Sequence, residues 1–285
     1  MVVNYLILAH DNLSQLDKLV HTLNSSYSRF YIHIDRRVQY KEINRRDFVS
    51  LKNVVVLKNR VAIHWGGFNM IKATLSLMWK ALNGKDIGYY VLLSGQDFPI
   101  KSNEIIYDIL SKNYGAEFLQ YWSIPYKNWI YNGGIGRFRY YWFIDKIGFK
   151  DSSTLYQLQV KSGFERRYFE DFPPFGGSQW WCLTHEAVTY VVKFINYNKI
   201  ILNYFEHTLI PDEIFFHTIL LNSPFKDKVF NNNLRYLQLE EDKASPNVLT
   251  SSDYQILKES NSLWARKFDE RADPHILNQI IVNLL

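Results

Sequence analysis

Val2-Val3-Asn4-Tyr5-Leu6-Ile7-Leu8-Ala9-His10-Asp11-Asn12, followed after a helical segment by Phe30-Tyr31-Ile32-His33-Ile34-Asp35, decides the fold. Val2–Leu8 is a short apolar run of the kind that is buried on both faces of a parallel sheet. Asn12 then reads as a helix N-cap, because Leu13, Leu16, Leu19, Val20 and Leu23 recur on one helical face. Phe30–Ile34 is a second strand and Val54–Leu57 a third. A helix after Gly66-Gly67 carries Ile71, Leu75, Met78 and Leu82, and Tyr89–Leu93 is a further apolar strand. This alternation predicts an α/β fold with a Rossmann-like, mostly parallel sheet flanked by helices.

The pattern changes further along the chain. The region 121–175 is rich in aromatics and glycine and has weak periodicity. Around it, Phe118–Trp122 and Ser178–Leu183 read as strands, His185–Phe194 and Glu213–Leu221 as helices, and Leu234–Leu239 as a strand. Ile276, Leu277, Ile280, Ile281, Leu284 and Leu285 form a C-terminal helical stripe whose polar face is Asn and Gln, which suits core packing or a dimer contact. The expected organisation is one domain, 1–285, with a first half to about residue 115 and a second from about 116.

Composition narrows the function. A hydrophobic fraction of 47 % supports a large core, and 16 % aromatic residues suit both core packing and stacking on sugar faces. The net charge of +5 favours anionic partners, yet over 285 residues it is small for a nucleic-acid binder, and no RNP-like or helix-turn-helix pattern is present. Cys182 is the single cysteine, so no internal disulfide can form and a reducing compartment is expected. Met1–Leu8 lacks a charged leader and reads as a strand. With no long apolar run either, a cytoplasmic placement follows as an expectation, at most with peripheral attachment to a membrane face.

In open parallel sheets, ligands bind beyond the carboxyl ends of strands. His10, His33, Asp35 and Asp97 sit at such ends. Asp35 reads either as a contact to a nucleotide base or ribose, or as a turn residue paired with Arg36 or Arg37. Asp97, in Ser94-Gly95-Gln96-Asp97-Phe98-Pro99, reads either as a sugar-hydroxyl ligand or as a brace for the turn and the helix near Asn103. There is no Asp-X-Asp pair to hold a divalent cation and no zinc-type Cys/His spacing. Asp212 and Glu213 follow Pro211 at a helix start, where acids complement the helix dipole; in a cleft, Glu213 would act as a general base. Arg266 and Lys267, between Trp264 and Phe268, read as a solvated helix end or as cations for a diphosphate, and Lys243 is a further basic candidate on a loop.

Taken in order, Ala9-His10, Tyr31-Ile32-His33-Ile34-Asp35, Trp65-Gly66-Gly67-Phe68, Ser94-Gly95-Gln96-Asp97-Phe98-Pro99-Ile100, Gly177-Ser178-Gln179-Trp180-Trp181, Pro211-Asp212-Glu213 and Trp264-Ala265-Arg266-Lys267-Phe268-Asp269 resemble the core-2/I-branching β-1,6-N-acetylglucosaminyltransferase and peptide O-xylosyltransferase family. The resemblance implies a GT-A type fold, a UDP-sugar donor, a glycan acceptor, and inversion at the anomeric carbon without a metal or other cofactor. It implies Glu213 as general base, and Lys267, with Arg266 or Lys243, as the diphosphate-binding group. Asp35 then matches a donor-base contact and Asp97 lies in the sugar-site loop. His10, His33 and Trp65 fall in donor-side motifs, and Gln179, Trp180, Trp181 and Asp212 on the acceptor side.

The family's second diphosphate-binding residue is an Arg in a loop that here reads Glu241-Asp242-Lys243-Ala244-Ser245-Pro246. The animal enzymes carry a membrane anchor and several disulfides, so this chain is expected to be a bacterial relative extending lipid-linked glycans of a surface polysaccharide. N-acetylglucosamine is the expected sugar. The competing readings are a UDP-xylose-dependent enzyme and a non-catalytic glycan-binding protein on the same fold.

Overall fold

The computed structural model describes residues 1–84, 86–240 and 245–285. Among the described residues, ten strands form two sheets: β1 Val2–Ala9, β2 Ser28–Ile34, β3 Val54–Val56, β4 Gly88–Ser94, β5 Asp97–Pro99, β6 Glu117–Ser123, β7 Phe175–Thr184, β8 Val229–Phe230, β9 Arg235–Leu237 and β10 Trp264–Arg266. The main sheet has the order β3-β2-β1-β4-β7-β6-β8, and a small one the order β5-β10-β9. β1 to β4 are mutually parallel, β7 runs antiparallel to β4 and β6, and β8 is parallel to β6. The class is therefore α/β with a mainly parallel sheet flanked by helices. Because β4 pairs directly with β7, the main sheet runs without a break across residue 115.

Side-chain alternation along the strands explains the layers. Val3, Tyr5, Ile7 and Ala9 of β1 pack with the helices Leu13–Leu23 and Ile276–Asn283 on one face. Leu6 and Leu8 pack with the helices Asn69–Leu82, His185–Tyr197 and Phe215–Leu221 on the other. Half of the C-terminal stripe is core: Ile276, Leu277 and Ile280 are fully buried, Leu284 and Leu285 are partly buried against them, and Ile281 is exposed. Asn12 caps its helix as read, its side chain accepting from the Gln15 N–H at 3.3 Å.

Three expectations need correction. Glu213 does not lie in a regular helix: Pro211–Glu213 is one 3₁₀ turn, and the helix Phe215–Leu221 starts beyond Ile214, whose φ of −128° interrupts it. Trp264–Arg266 is a strand of the small sheet, so Arg266 and Lys267 are not a helix end. The region 121–175 holds a long helix, Ile144–Ser162, interrupted at Gly148. Its periodicity is weak because only Ile144 and Ser152 are buried, and a helix resting on so few residues writes almost no apolar stripe into the sequence.

Candidate active site

The carboxyl ends of β1, β2 and β4 are laced together by backbone. The Asp35 N–H donates to the Ala9 carbonyl at 2.8 Å, and the Gly95 N–H to that of Leu8 at 3.0 Å. Gln15, buried, fastens the small sheet's exit to this edge: its amide donates to Gly95 O at 3.1 Å and Phe268 O at 3.0 Å, and its oxygen accepts from Glu270 N at 2.9 Å. Phe268 N–H in turn donates to Gln96 O at 2.8 Å. The segment bearing Arg266 and Lys267 is thereby held beside the strand ends.

Several predicted contact residues are used up inside this edge. Asp35 is 1 % exposed, and its carboxylate accepts from Arg37 N and Nε, each at 2.9 Å, from Arg37 Nη2 at 2.9 Å and from Ile63 N at 2.8 Å. Burial alone would raise its pKa, but these donors outweigh it and hold the carboxyl well below the usual range. The turn-residue reading describes what is seen, and direct nucleotide contact by Asp35 is not what this geometry offers. His33 is corrected in the same way: it is fully buried, its Nε2 accepts from Val61 N at 3.0 Å, and burial lowers its pKa to about 4, so it is neutral. Asp97 is also fully buried, with Oδ2 accepting from Ser94 N at 2.8 Å and Oδ1 from Arg266 Nη1 at 2.8 Å. It holds Arg266 and presents no oxygen to a sugar. His10 remains exposed at the end of β1.

Arg266 leads to the second edge. Its guanidinium lies 4.4 Å from the Trp180 ring centroid, and Trp180 is itself almost buried. One face of this acceptor-side tryptophan is therefore covered by an arginine. Trp181, which alternation sends to the opposite side, is buried against Phe216, so its acceptor-contact expectation is overturned. Gln179 is half-buried, and its amide nitrogen has no hydrogen-bond partner among the described residues. Lys267 is half-buried, with Nζ 3.2 Å from Ser245 Oγ. Lys243 lies outside the described residues.

The turn Pro211–Glu213 packs against β7. Its geometry is set by the chain before it. Ile210 has a φ of 48°, and its N–H donates to Gly66 O at 2.9 Å. Gly66, at φ 77°, is required there, since a Cβ would press on Leu209 and Ile210 at 3.3–3.4 Å. This accounts for Trp65-Gly66-Gly67: the motif seats the turn. Trp65 itself is 55 % exposed, beside Phe149, so it belongs with the turn and not with the strand ends. A Cβ on Gly177 would collide with the Gln120 carbonyl and the His217 ring, so only glycine lets His217 sit beneath β7.

Asp212 is buried, and burial together with the neighbouring Glu213 pushes its carboxyl up to about 7. At 8 % exposure it offers little surface to an acceptor. Glu213 keeps a third of its side chain exposed, and its Oε2 accepts from Arg137 Nη1 at 2.7 Å. Burial raises its pKa and Arg137 opposes that rise. Arg137, Gln15 and His217 were not anticipated from sequence. A polar residue whose partners are all distant in the chain leaves no local signal. Among the described residues, no group of three or more His, Cys, Asp and Glu side chains is placed to hold a metal, and no helix is long and apolar enough to cross a membrane.

The arrangement is thus a carboxylate turn and a cationic strand end that both reach β7, the latter beside the ends of a parallel sheet. A family profile described as "Core-2/I-Branching enzyme" matches residues 3–261. The chain belongs to the core-2/I-branching enzyme family. This family member is similar to xylosyltransferase 2 of Canis lupus familiaris, with 27 % identity over 96 % of this chain and 33 % of that protein. Against the xylosyltransferase of Ciona intestinalis, identity is 26 % over 97 % of this chain and 33 % of the relative. The chain therefore spans about a third of the length of these relatives. Among solved structures, mouse xyloside xylosyltransferase 1 in its apo form aligns over 93 % of this chain and 97 % of that one, with 11 % identity and a TM-score of 0.43.

Proposed function

We propose that this family member is a GT-A type, inverting glycosyltransferase that moves a sugar from a UDP-sugar to a hydroxyl of a glycan acceptor without a metal ion. The observation that carries the reading is Glu213, a part-exposed carboxylate held through one oxygen by Arg137 on a turn that packs against β7, the strand whose Trp180 also carries the Arg266 guanidinium. In the proposed step the acceptor oxygen bonds to the anomeric carbon as the carbon–oxygen bond to UDP breaks. The hydroxyl proton passes to Glu213, and the electron pair leaves with the diphosphate. Lys267, with Arg266 braced by Asp97, stabilises the charge that builds on the phosphate oxygens. The animal relatives are named xylosyltransferases, which supports UDP-xylose as strongly as UDP-N-acetylglucosamine for the donor. A lipid-linked acceptor of a bacterial surface polysaccharide, met at the inner membrane face, suits the exposed Ile147, Leu155 and Leu158 and the exposed Lys146, Lys150 and Lys161 of the helix Ile144–Ser162.

A thermal-shift panel of UDP-, GDP-, CMP- and dTDP-sugars, with EDTA and with manganese, tests this. A rise in Tm with one UDP-sugar that EDTA leaves unchanged is the expected result. A rise that requires manganese would overturn the metal-free mechanism, and no rise with any nucleotide would favour the glycan-binding alternative.

A further inference from the structure

Arg137 lies in the short helix Ile135–Phe138, far in sequence from the turn it serves. Its side chain is only 7 % exposed, with Nη1 on Glu213 Oε2 at 2.7 Å and the guanidinium 3.7 Å from the Trp129 ring centroid. Its own carbonyl accepts from Leu209 N at 2.8 Å. One residue therefore ties down both the Glu213 carboxylate and the chain leading into its turn. Glu213 Oε1 has no hydrogen-bond partner among the described residues. Resting on the base role given to Glu213 above, we propose that Arg137 is the positioning residue of the transfer step: it fixes one carboxylate oxygen, aims the other at the acceptor hydroxyl, and supplies the charge that keeps a recessed carboxylate ionised.

The chemistry requires a cation of this kind at this place. A carboxylate withdrawn from water tends to take up a proton and so ceases to be a base. An arginine stays charged when buried, and its flat guanidinium can stack on a ring while it donates to a carboxylate. The other titratable groups near the turn do not supply that charge. Asp212 is itself an acid, pushed up to about 7 by burial and by Glu213. His217, on the helix Phe215–Leu221, is kept neutral by burial, with its pKa lowered to about 3. β7 contributes only Cys182, whose thiol burial pushes up to about 11. The helix Asn69–Leu82 brings Lys72, which is exposed and paired with Glu206 at 3.2 Å, and Lys80, which is also exposed.

The test is a carbon-13 NMR titration of the Glu213 carboxyl in the full chain, its signal assigned by disappearance in Glu213→Gln. Arg137→Gln should raise the midpoint by about one unit or more, as removal of an adjacent opposite charge does. Arg137→Lys, which keeps the charge and loses the planar fork, should leave the midpoint within about half a unit. With whichever of UDP-xylose and UDP-N-acetylglucosamine is turned over, the acid limb of kcat should move to higher pH in Arg137→Gln. In Arg137→Lys, kcat should fall without that movement and the donor KM should stay unchanged. An unmoved midpoint in Arg137→Gln, or an Arg137→Lys enzyme of full rate, overturns the proposal. The second criterion stands even where the Gln variant does not fold. The titration needs no substrate, so an active Glu213→Gln enzyme would remove the base assignment while leaving the Arg137–Glu213 coupling measured in its own right.

Discussion

At the end of β2, Asp35 sits beside Arg37; in the turn Pro211–Glu213, Glu213 sits beside Arg137. The two pairs are inverted. Asp35 is 1 % exposed while Arg37 is 58 % exposed, whereas Arg137 is 7 % exposed and Glu213 33 %. In each pair the buried member anchors and the exposed member is presented. The strand-end edge therefore presents a guanidinium and hides its acid, and the turn presents an acid and hides its guanidinium. Under the proposed transfer, that polarity would suit a diphosphate near the strand ends and a hydroxyl proton at the turn.

The largest effect that would sharpen this contrast is at Glu213. Glu213→Gln should lower transfer by about 10²–10⁴-fold, the usual contribution of a positioned base. The UDP-induced Tm rise should be retained, and near-normal turnover would end the assignment. Lys267→Ala comes next: loss of one group stabilising the leaving diphosphate costs about 2.7–4 kcal/mol in the transition state. Here UDP binding should weaken together with kcat, which separates this edge from the turn. A variant that loses kcat but binds UDP normally would break the division. The smallest effect is at Asp35. Asp35→Asn should lower stability by about 1.5–3 kcal/mol at pH 7, the range for hydrogen bonds to a charged group, and towards the lower end because Arg37 faces solvent. The folded-state pKa of Asp35 is depressed, so its stabilisation is present above the unfolded value and is lost as pH falls through the folded one. The gap between Asp35→Asn and the native chain should therefore start to narrow below about pH 4 in urea titrations and keep narrowing as pH falls towards the depressed folded-state value. A variant of unchanged stability that no longer responds to UDP-sugar would instead make Asp35 a ligand contact.

The parallel core was legible because β1, β2 and β4 are short apolar runs and the helices between them carry clean stripes, as Leu13, Leu16, Val20 and Leu23 show. The helix Ile144–Ser162 was not legible, since it buries too little to leave a pattern. At the site, residue types left Asp35 and Asp97 open between ligand contact and turn or brace, and the resemblance put Trp180 on the acceptor side; the fold occupies them with Arg37, with Ser94 and Arg266, and with Arg266. The sequence named polar groups near strand ends correctly, but a carboxylate's free valence depends on which donors reach it, and those come from other elements.

From the sequence alone came the α/β class, the N-cap at Asn12 and the family resemblance, and with that resemblance the proposal of Glu213, Arg266 and Lys267 as functional residues. These follow from local periodicity and from motifs whose members are neighbours in the chain. Only the tertiary structure decided that Glu213 stands in a 3₁₀ turn, that Gly66 seats that turn, and that Arg137, 76 residues away, holds its carboxylate. Burial and ion pairing depend on distance in space, and a chain carries no local record of which distant side chain will stand beside which.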